Sequence, residues 1–251
     1  ARLHRRGTIP MAQPRLLNPS LIDSTYDAIN LKGYGAGVSS DLSDAINAAL
    51  AHIAATSVGK GAIYLPPDTY TLKNNVTIPA GVRLIMEHGA IISINSGKTL
   101  TIAGELDAPL SQIFSGSGTV VLTGTIEKIY PQWWGVKGDG TTDNAAAMGS
   151  ALTAAAAITT STTATGITIE FPAGLYYFAS APTFPAAIRN VRILGATGVV
   201  WSTTYTHASV FKAGFQNAAL FDLGSGSANL TIENVGFYGG QTSVGGSLSH
   251  N

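Results

Sequence analysis

The chain contains no cysteine among its 251 residues. That excludes disulfide staples, thiolate metal sites and a cysteine nucleophile, and it leaves the compartment open. Charge is also scarce: 14 Lys and Arg balance 14 Asp and Glu, and together they make up 11% of the chain. A nucleic-acid binder needs a basic surplus to neutralise phosphates, so no nucleic acid is expected as a partner. No run approaches the roughly 18 apolar residues that cross a bilayer, so no membrane insertion is expected. At 45% hydrophobic residues the chain is not a solvated acidic tail either. What it has in quantity is glycine, 29 residues, together with Ser, Thr, Ala and Asn. This is the composition of a turn-rich β protein that stacks on itself.

Residues 1–20 carry Arg2, Arg5, Arg6 and Arg15 and no acid, so this stretch is basic while the rest of the chain is acidic by the same amount. Pro10, Pro14 and Pro19 forbid a regular helix and favour extended chain. No continuous apolar core follows the positive charges, as a secretory signal requires. Residues 1–30 therefore read as an extended basic arm for attachment or assembly, with a frayed terminus as the equal alternative.

An internal duplication organises the rest. Asp41-Leu-Ser-Asp-Ala-Ile-Asn-Ala-Ala-Leu50 returns as Asp143-Asn-Ala-Ala-Ala-Met-Gly-Ser-Ala-Leu152, and Ile63-Tyr-Leu-Pro-Pro-Asp-Thr-Tyr70 returns as Ile169-Glu-Phe-Pro-Ala-Gly-Leu-Tyr176. A Gly-rich turn opens each copy, Gly33 to Gly37 and Gly135 to Gly140. Asp41 and Asp143 stand where a helix-capping acid belongs. Ala45, Ile46, Ala49, Leu50 and Ile53 then recur at helical spacing, as do Ala147, Met148, Ala151, Leu152 and Ala155. Strands over 62–65 and 168–171 follow, each ended by proline. Each cassette is thus a helix laid across the start of a sheet.

After the first cassette, Leu84 and Met86, Ile92 and Ile94, and Leu100 and Ile102 form alternating apolar pairs that step by eight. Such a step suits a coil of three short strands and some 24 residues. Antiparallel hairpins give a similar spacing, so the periodicity leaves both open. In the second half, Val191-Arg-Ile-Leu194 and Leu230-Thr-Ile-Glu-Asn-Val235 read as strands, each preceded by an asparagine suited to a left-handed corner, Asn190 and Asn229. The units are expected over 31–130 and 131–251. No amphipathic cap follows the last strand, so the second unit is expected to continue or to be capped by a partner.

Gly135-Val-Lys-Gly-Asp-Gly-Thr-Thr-Asp143, the Ala-rich helix and Ile169-Glu-Phe-Pro-Ala-Gly-Leu-Tyr-Tyr177 together resemble the opening of pectate-lyase-like right-handed β-helix proteins, in particular phage tailspikes and appendages. The linking stretch from Ile113 to Gly135 resembles the same members, and the likeness covers roughly residues 31–240. The first cassette departs from the pattern at Tyr34 and Ala36. The resemblance implies an all-β solenoid, a right-handed parallel β-helix with short N-terminal capping helices in two tandem units. It also implies a homotrimer on a virion tail, held to other tail proteins through the arm and directed at bacterial surface polysaccharide. It supplies no catalytic residue.

Few side chains offer chemistry. Asp139 and Asp143 are read as turn and cap residues, since calcium requires more converging oxygens; no metal and no cofactor is expected. The glycines of 135–140 lack the Lys-Ser/Thr ending of a nucleotide loop. Trp133 and Trp134 are the aromatic candidates for sugar contact, although beside Pro131 they more simply pack one unit on the next. His4, His52, His88, His207 and His250 have no partner at metal-ligand spacing. Glycoside hydrolysis needs two carboxyl groups about 5–9.5 Å apart. Glu170, Asp222 and Glu233 are the acids beyond residue 143, and Glu170 and Glu233 are expected to point outward from strands. No acid pair or Arg/Lys cluster belonging to one groove is legible, so no catalytic site is expected. The expected role is the structural, attachment portion of a tailspike or tail appendage. The alternatives are a polysaccharide lyase or glycoside hydrolase, and an extracellular or cell-surface bacterial adhesin.

Overall fold

The computed structural model describes residues 28–37, 41–56, 59–124, 126–159, 166–186, 188–197, 208–216, 219–221 and 228–239. The arm up to residue 27, Asp222, His4, His207, His250 and the stretch 240–251 lie outside the described residues. Strand dominates, every pairing among the described residues is parallel, and two 15-residue helices complete the regular structure. The parallel pairing removes the hairpin alternative.

In the first unit the strands are β1 (Ala28–Asn30), β2 (Gly61–Leu65), β3 (Asp68–Leu72), β4 (Val76–Ile78), β5 (Val82–Met86), β6 (Ala90–Ile94), β7 (Thr99–Ile102), β8 (Leu106–Asp107), β9 (Phe114–Gly116) and β10 (Thr119–Leu122). They form three sheets, ordered β1-β2-β5-β8, β3-β6-β9 and β4-β7-β10. From β2 onward, successive strands go to the three sheets in rotation, and each pairs with the third strand after it. Registers run Ile63 to Leu84 to Leu106 in the first sheet and Tyr70 to Ile92 to Phe114 in the second, steps of 21 to 22 residues. Alternation puts Leu84, Met86, Ile92, Ile94, Leu100 and Ile102 inward, and all six are buried. Residues 28–30, expected at the end of the arm, are the edge strand β1.

The second unit contains β11 (Lys128–Ile129), β12 (Asp139–Asp143), β13 (Ile167–Phe171), β14 (Gly174–Phe178), β15 (Arg189–Gly195), β16 (Ser209–Ala213), β17 (Ala228–Glu233) and β18 (Val235–Gly239). Here two sheets alternate, β11-β13-β15-β17 and β12-β14-β16-β18. In its interior Phe171 and Phe211 lie 4.8 Å apart, and the exposed Phe237 lies 6.0 Å from Phe211. Asn190 and Asn229 adopt the expected left-handed conformation, with φ of 52° and 57°. They also stack, the Asn229 amide donating to Asn190 Oδ1 at 2.9 Å.

The helices α1 (Leu42–Thr56) and α2 (Ala145–Thr159) open the two cassettes. Asp41 Oδ1 accepts from the backbone N–H of Ser43 in the first turn and from that of Lys73 just past β3. Asp143 Oδ1 accepts from Ala145 in the first turn of α2 and from Ala179 just past β14. One carboxylate thus caps the helix and ties it to the end of the cassette's second strand. Tyr70 donates to Pro66 O and Tyr176 to Pro172 O, closing the proline turn in both copies. The duplication also reaches further back than the glycine-rich wording suggests. A 3-10 turn precedes each helix, Leu31–Tyr34 and Pro131–Trp134, and ends on a left-handed glycine, Gly35 at φ 90° and Gly135 at φ 92°. The copies therefore align at Gly35 rather than Gly33, and β1 corresponds to β11.

Close approach dictates two glycines, Gly138 of the second Gly-rich turn and Gly174 at the start of β14. Leu175 N donates to Gly138 O at 3.1 Å as β14 pairs with β12, and a Cβ on Gly174 would lie 2.9 Å from Gly138 Cα. Neither position tolerates a side chain without moving a strand.

Two outcomes are expected. Leu84→Ala should cost about 2–5 kcal/mol, as a large-to-small change in a close-packed interior does. Leu84→Asp should abolish folding of the first unit, read as loss of its thermal transition by circular dichroism. Burial pushes the Asp41 carboxyl up, but hydrogen bonds from Lys73, Ser43 and Asn74 outweigh it and hold the group below its ordinary value. A carboxyl depressed in the native state stabilises fully above its unfolded value of about 3.9 and loses that contribution as pH falls through the native value. Asp41→Ala should therefore cost about 1–2 kcal/mol at neutral pH, a deficit that shrinks below about pH 4 in chemical unfolding.

Candidate functional site

The strand β8 is the last of the first sheet, and β11 is the first of the sheet that follows it in the second unit. Between them lies a groove of about 390 Å³ lined by Arg83, Glu105, Leu106, Asp107, Ile126, Glu127, Lys128 and Trp133. Its walls come from both sides of the break. Arg83 projects from β5, Glu105 to Asp107 form or flank β8, and Ile126 to Lys128 lead into β11. Trp133 belongs to the second 3-10 turn.

The groove has a mixed charge. Arg83 Nη2 reaches Asp107 Oδ2 at 3.0 Å, while its Nε lies 3.7 Å from Glu105 Oε2. That Nε is buried without a hydrogen-bond partner. Across the break, Lys128 Nζ contacts Glu170 Oε2 at 2.8 Å and lies over the Tyr130 ring. The Glu170 carboxylate, by hydrogen bond and by charge, holds the Lys128 amine above its ordinary value. Two cations thus share the groove with three lining carboxylates, Glu105, Asp107 and Glu127. A cavity of this composition offers donors and acceptors to a polar, uncharged chain such as a glycan, and it offers carboxyl groups for proton transfer.

The sequence candidates are distributed as follows. Trp133 is buried, donates its indole N–H to Pro109 O at 3.0 Å and meets Tyr130 edge-on, so it bridges the two units while lining the groove. Trp134 is half-buried, its ring 5.4 Å from that of Phe114. Glu170 and Glu233 point outward, as expected. They share one sheet face with Leu194 between them, and Glu233 is taken by Arg192. Asp139 accepts from Thr141 N, Thr142 N and Thr142 Oγ1, which holds its carboxyl well below the usual range. Its lone pairs serve the local turn, and those of Asp143 serve the helix cap and the end of β14. His52 stands edge-on to Tyr34.

One expectation is corrected. A groove that gathers acids with Arg and Lys does exist, made by Arg83, Glu105, Asp107, Glu127 and Lys128. These acids all precede residue 143, and their one sequence signal is the 24-residue spacing from Arg83 to Asp107, close to the register step between β5 and β8. No family model, no curated protein and no solved structure matches this chain.

The groove charges are too exposed to serve stability, since the Arg83, Glu105 and Asp107 side chains are 39%, 70% and 55% exposed. Arg83→Met should change the unfolding free energy by less than about 1 kcal/mol, and high salt should shrink the difference further. A larger, salt-independent loss in urea unfolding would make Arg83 a structural residue rather than a ligand-facing one.

Proposed function

We propose that the chain is a right-handed parallel β-helix of the pectate-lyase-like kind in two tandem units, serving as the structural, attachment portion of a phage tailspike or comparable tail appendage. The observation that carries this reading is the rotation of parallel strands over three sheets at steps of 20 to 24 residues. Parallel strands in rotation need crossovers of one hand, and right-handed crossovers are the rule. A stack of this kind resists bending because each inward rung packs on the next, and it needs no disulfide. Its sparse surface charge suits close association of sister chains. The Gly135 to Asp143 wording and the duplicated helical cassette add the likeness to tail appendages, with a homotrimer, a virion partner for the basic arm and a bacterial surface polysaccharide as its target.

A second reading, a polysaccharide lyase or glycoside hydrolase on the same scaffold, is favoured by the groove at the break. Light scattering on the purified chain, with a reducing-sugar assay on bacterial capsule and pectin, separates the two. The appendage reading expects a trimer that releases no sugar. A monomer that releases sugar overturns it, and Glu105→Gln, Asp107→Asn and Glu127→Gln would then identify the catalytic carboxyl by loss of release.

A further inference from the structure

With Glu170 included, the charges of the groove at the break do not cancel. Arg83 is shared between Asp107, at 3.0 Å, and Glu105, at 3.7 Å, so one cation faces two carboxylates. Lys128 is held by Glu170, which reaches it from β13. Glu127 lines the groove and forms no ion pair among the described residues. Four carboxylates thus stand against two cations, an excess of two negative charges. The polar lining suits any glycan, and the excess charge selects among them. A concave site of this sign repels a chain of uronic acids and draws a cation.

The acids do not converge as metal ligands do. Among the described residues no three side chains of His, Asp or Glu are placed to hold an ion. They are instead spread along a cavity of about 390 Å³, from β8 to the approach to β11. That volume falls in the range of about 300–1,000 Å³ that takes small organic ligands. Leu106, Ile126 and Trp133 make part of the same lining apolar. A ligand that fits both features carries separated ammonium groups on a framework with apolar C–H faces. Sugar rings with a free amine have that combination. Their hydroxyls add what an alkyl polyamine lacks: Arg83 Nε is buried without a hydrogen-bond partner, and a sugar oxygen is an acceptor for such a donor.

We propose that the groove between the two units binds an oligosaccharide of amino sugars with free, protonated amines. Glu127, which is unpaired, and Glu105, the more loosely held of the two partners of Arg83, receive the ammonium groups. The apolar part of the lining meets the ring faces. This inference rests on the reading of the groove as a glycan site, and it needs neither turnover nor a trimer.

Binding to the full chain is measured by calorimetry at about pH 6, where carboxyls with ordinary values near 4 are charged and amines near 8 are protonated. The probes are a glucosamine tetramer, its N-acetylated form, a galacturonate tetramer and spermine. The glucosamine tetramer should bind at least about ten-fold more tightly than its N-acetylated form, and high salt should narrow that ratio. Glu127→Gln should weaken the glucosamine tetramer at least about three-fold, leaving the N-acetylated affinity and the thermal transition unchanged. Equal affinity for the two tetramers overturns the amine assignment and leaves the glycan reading standing, whereas no binding of any sugar overturns both. Tighter binding of the galacturonate tetramer overturns the proposal, as does spermine that binds as tightly as the glucosamine tetramer. A Glu127→Gln variant that weakens both tetramers alike, or neither, also counts against it.

Discussion

Parallel pairing, between strands 20 to 24 residues apart from β2 to β10 and 24 to 40 apart in the second unit, governs this structure. A parallel strand cannot be joined to its partner by a tight turn, so the chain visits other sheets before it returns. Each inward side chain then lands on the rung of the strand below, as Leu84 lands on Ile63 and Ile92 on Tyr70. The interior becomes columns of like size, and the ladder satisfies the backbone groups within it. What the pairing leaves unsolved is its ends, where edge strands expose unpaired backbone and apolar rungs.

The cassette answers that problem with a small set of contacts. A helix is laid at the start of the unit, and one aspartate carboxylate fixes it to the end of the second strand it covers. Because Asp41 and Asp143 each bridge a helix N-terminus and a strand terminus, helix and sheet are coupled through charge-assisted hydrogen bonds as well as apolar contact. The proline turns closed by Tyr70 and Tyr176, and the left-handed Gly35 and Gly135, repeat the same geometry about a hundred residues apart. In the second copy β12 ends on the aspartate and pairs with β14, and the close approach of Gly138 and Gly174 lies at the start of that pairing.

Much of this fold is legible in the sequence because its determinants are local. Alternation placed six inward residues correctly, Asn190 and Asn229 marked left-handed corners, and the repeated Asp-helix-strand wording marked both cassettes. The sheet partners were not local, and the step of eight between pairs was equally compatible with hairpins until the parallel register was seen. The groove was illegible for the same reason. Arg83 meets Asp107 one rung away rather than a few residues away, and Lys128 meets Glu170 across a helix and a loop. Neither contact has a short-range signature.

The groove follows from the duplication. Starting a second cassette requires inserting a helix, and a helix cannot continue a β ladder, so the first sheet stops at β8 and a new one starts at β11. At that break the chain forgoes one continuous stack of aliphatic rungs, and the space is walled by the polar ends of both ladders. The buried Trp133 spans the discontinuity, bonded to Pro109 on one side and packed on Tyr130 on the other. Trp133 thereby joins the two sides of the break while the rim carries the charges. Interior positions of the ladders must be apolar to stack, so the polar side chains of a concave surface come from outward positions and from the ends of the ladders. The seam between the tandem units brings ladder ends together without disturbing either core, which ties the groove to the same duplication.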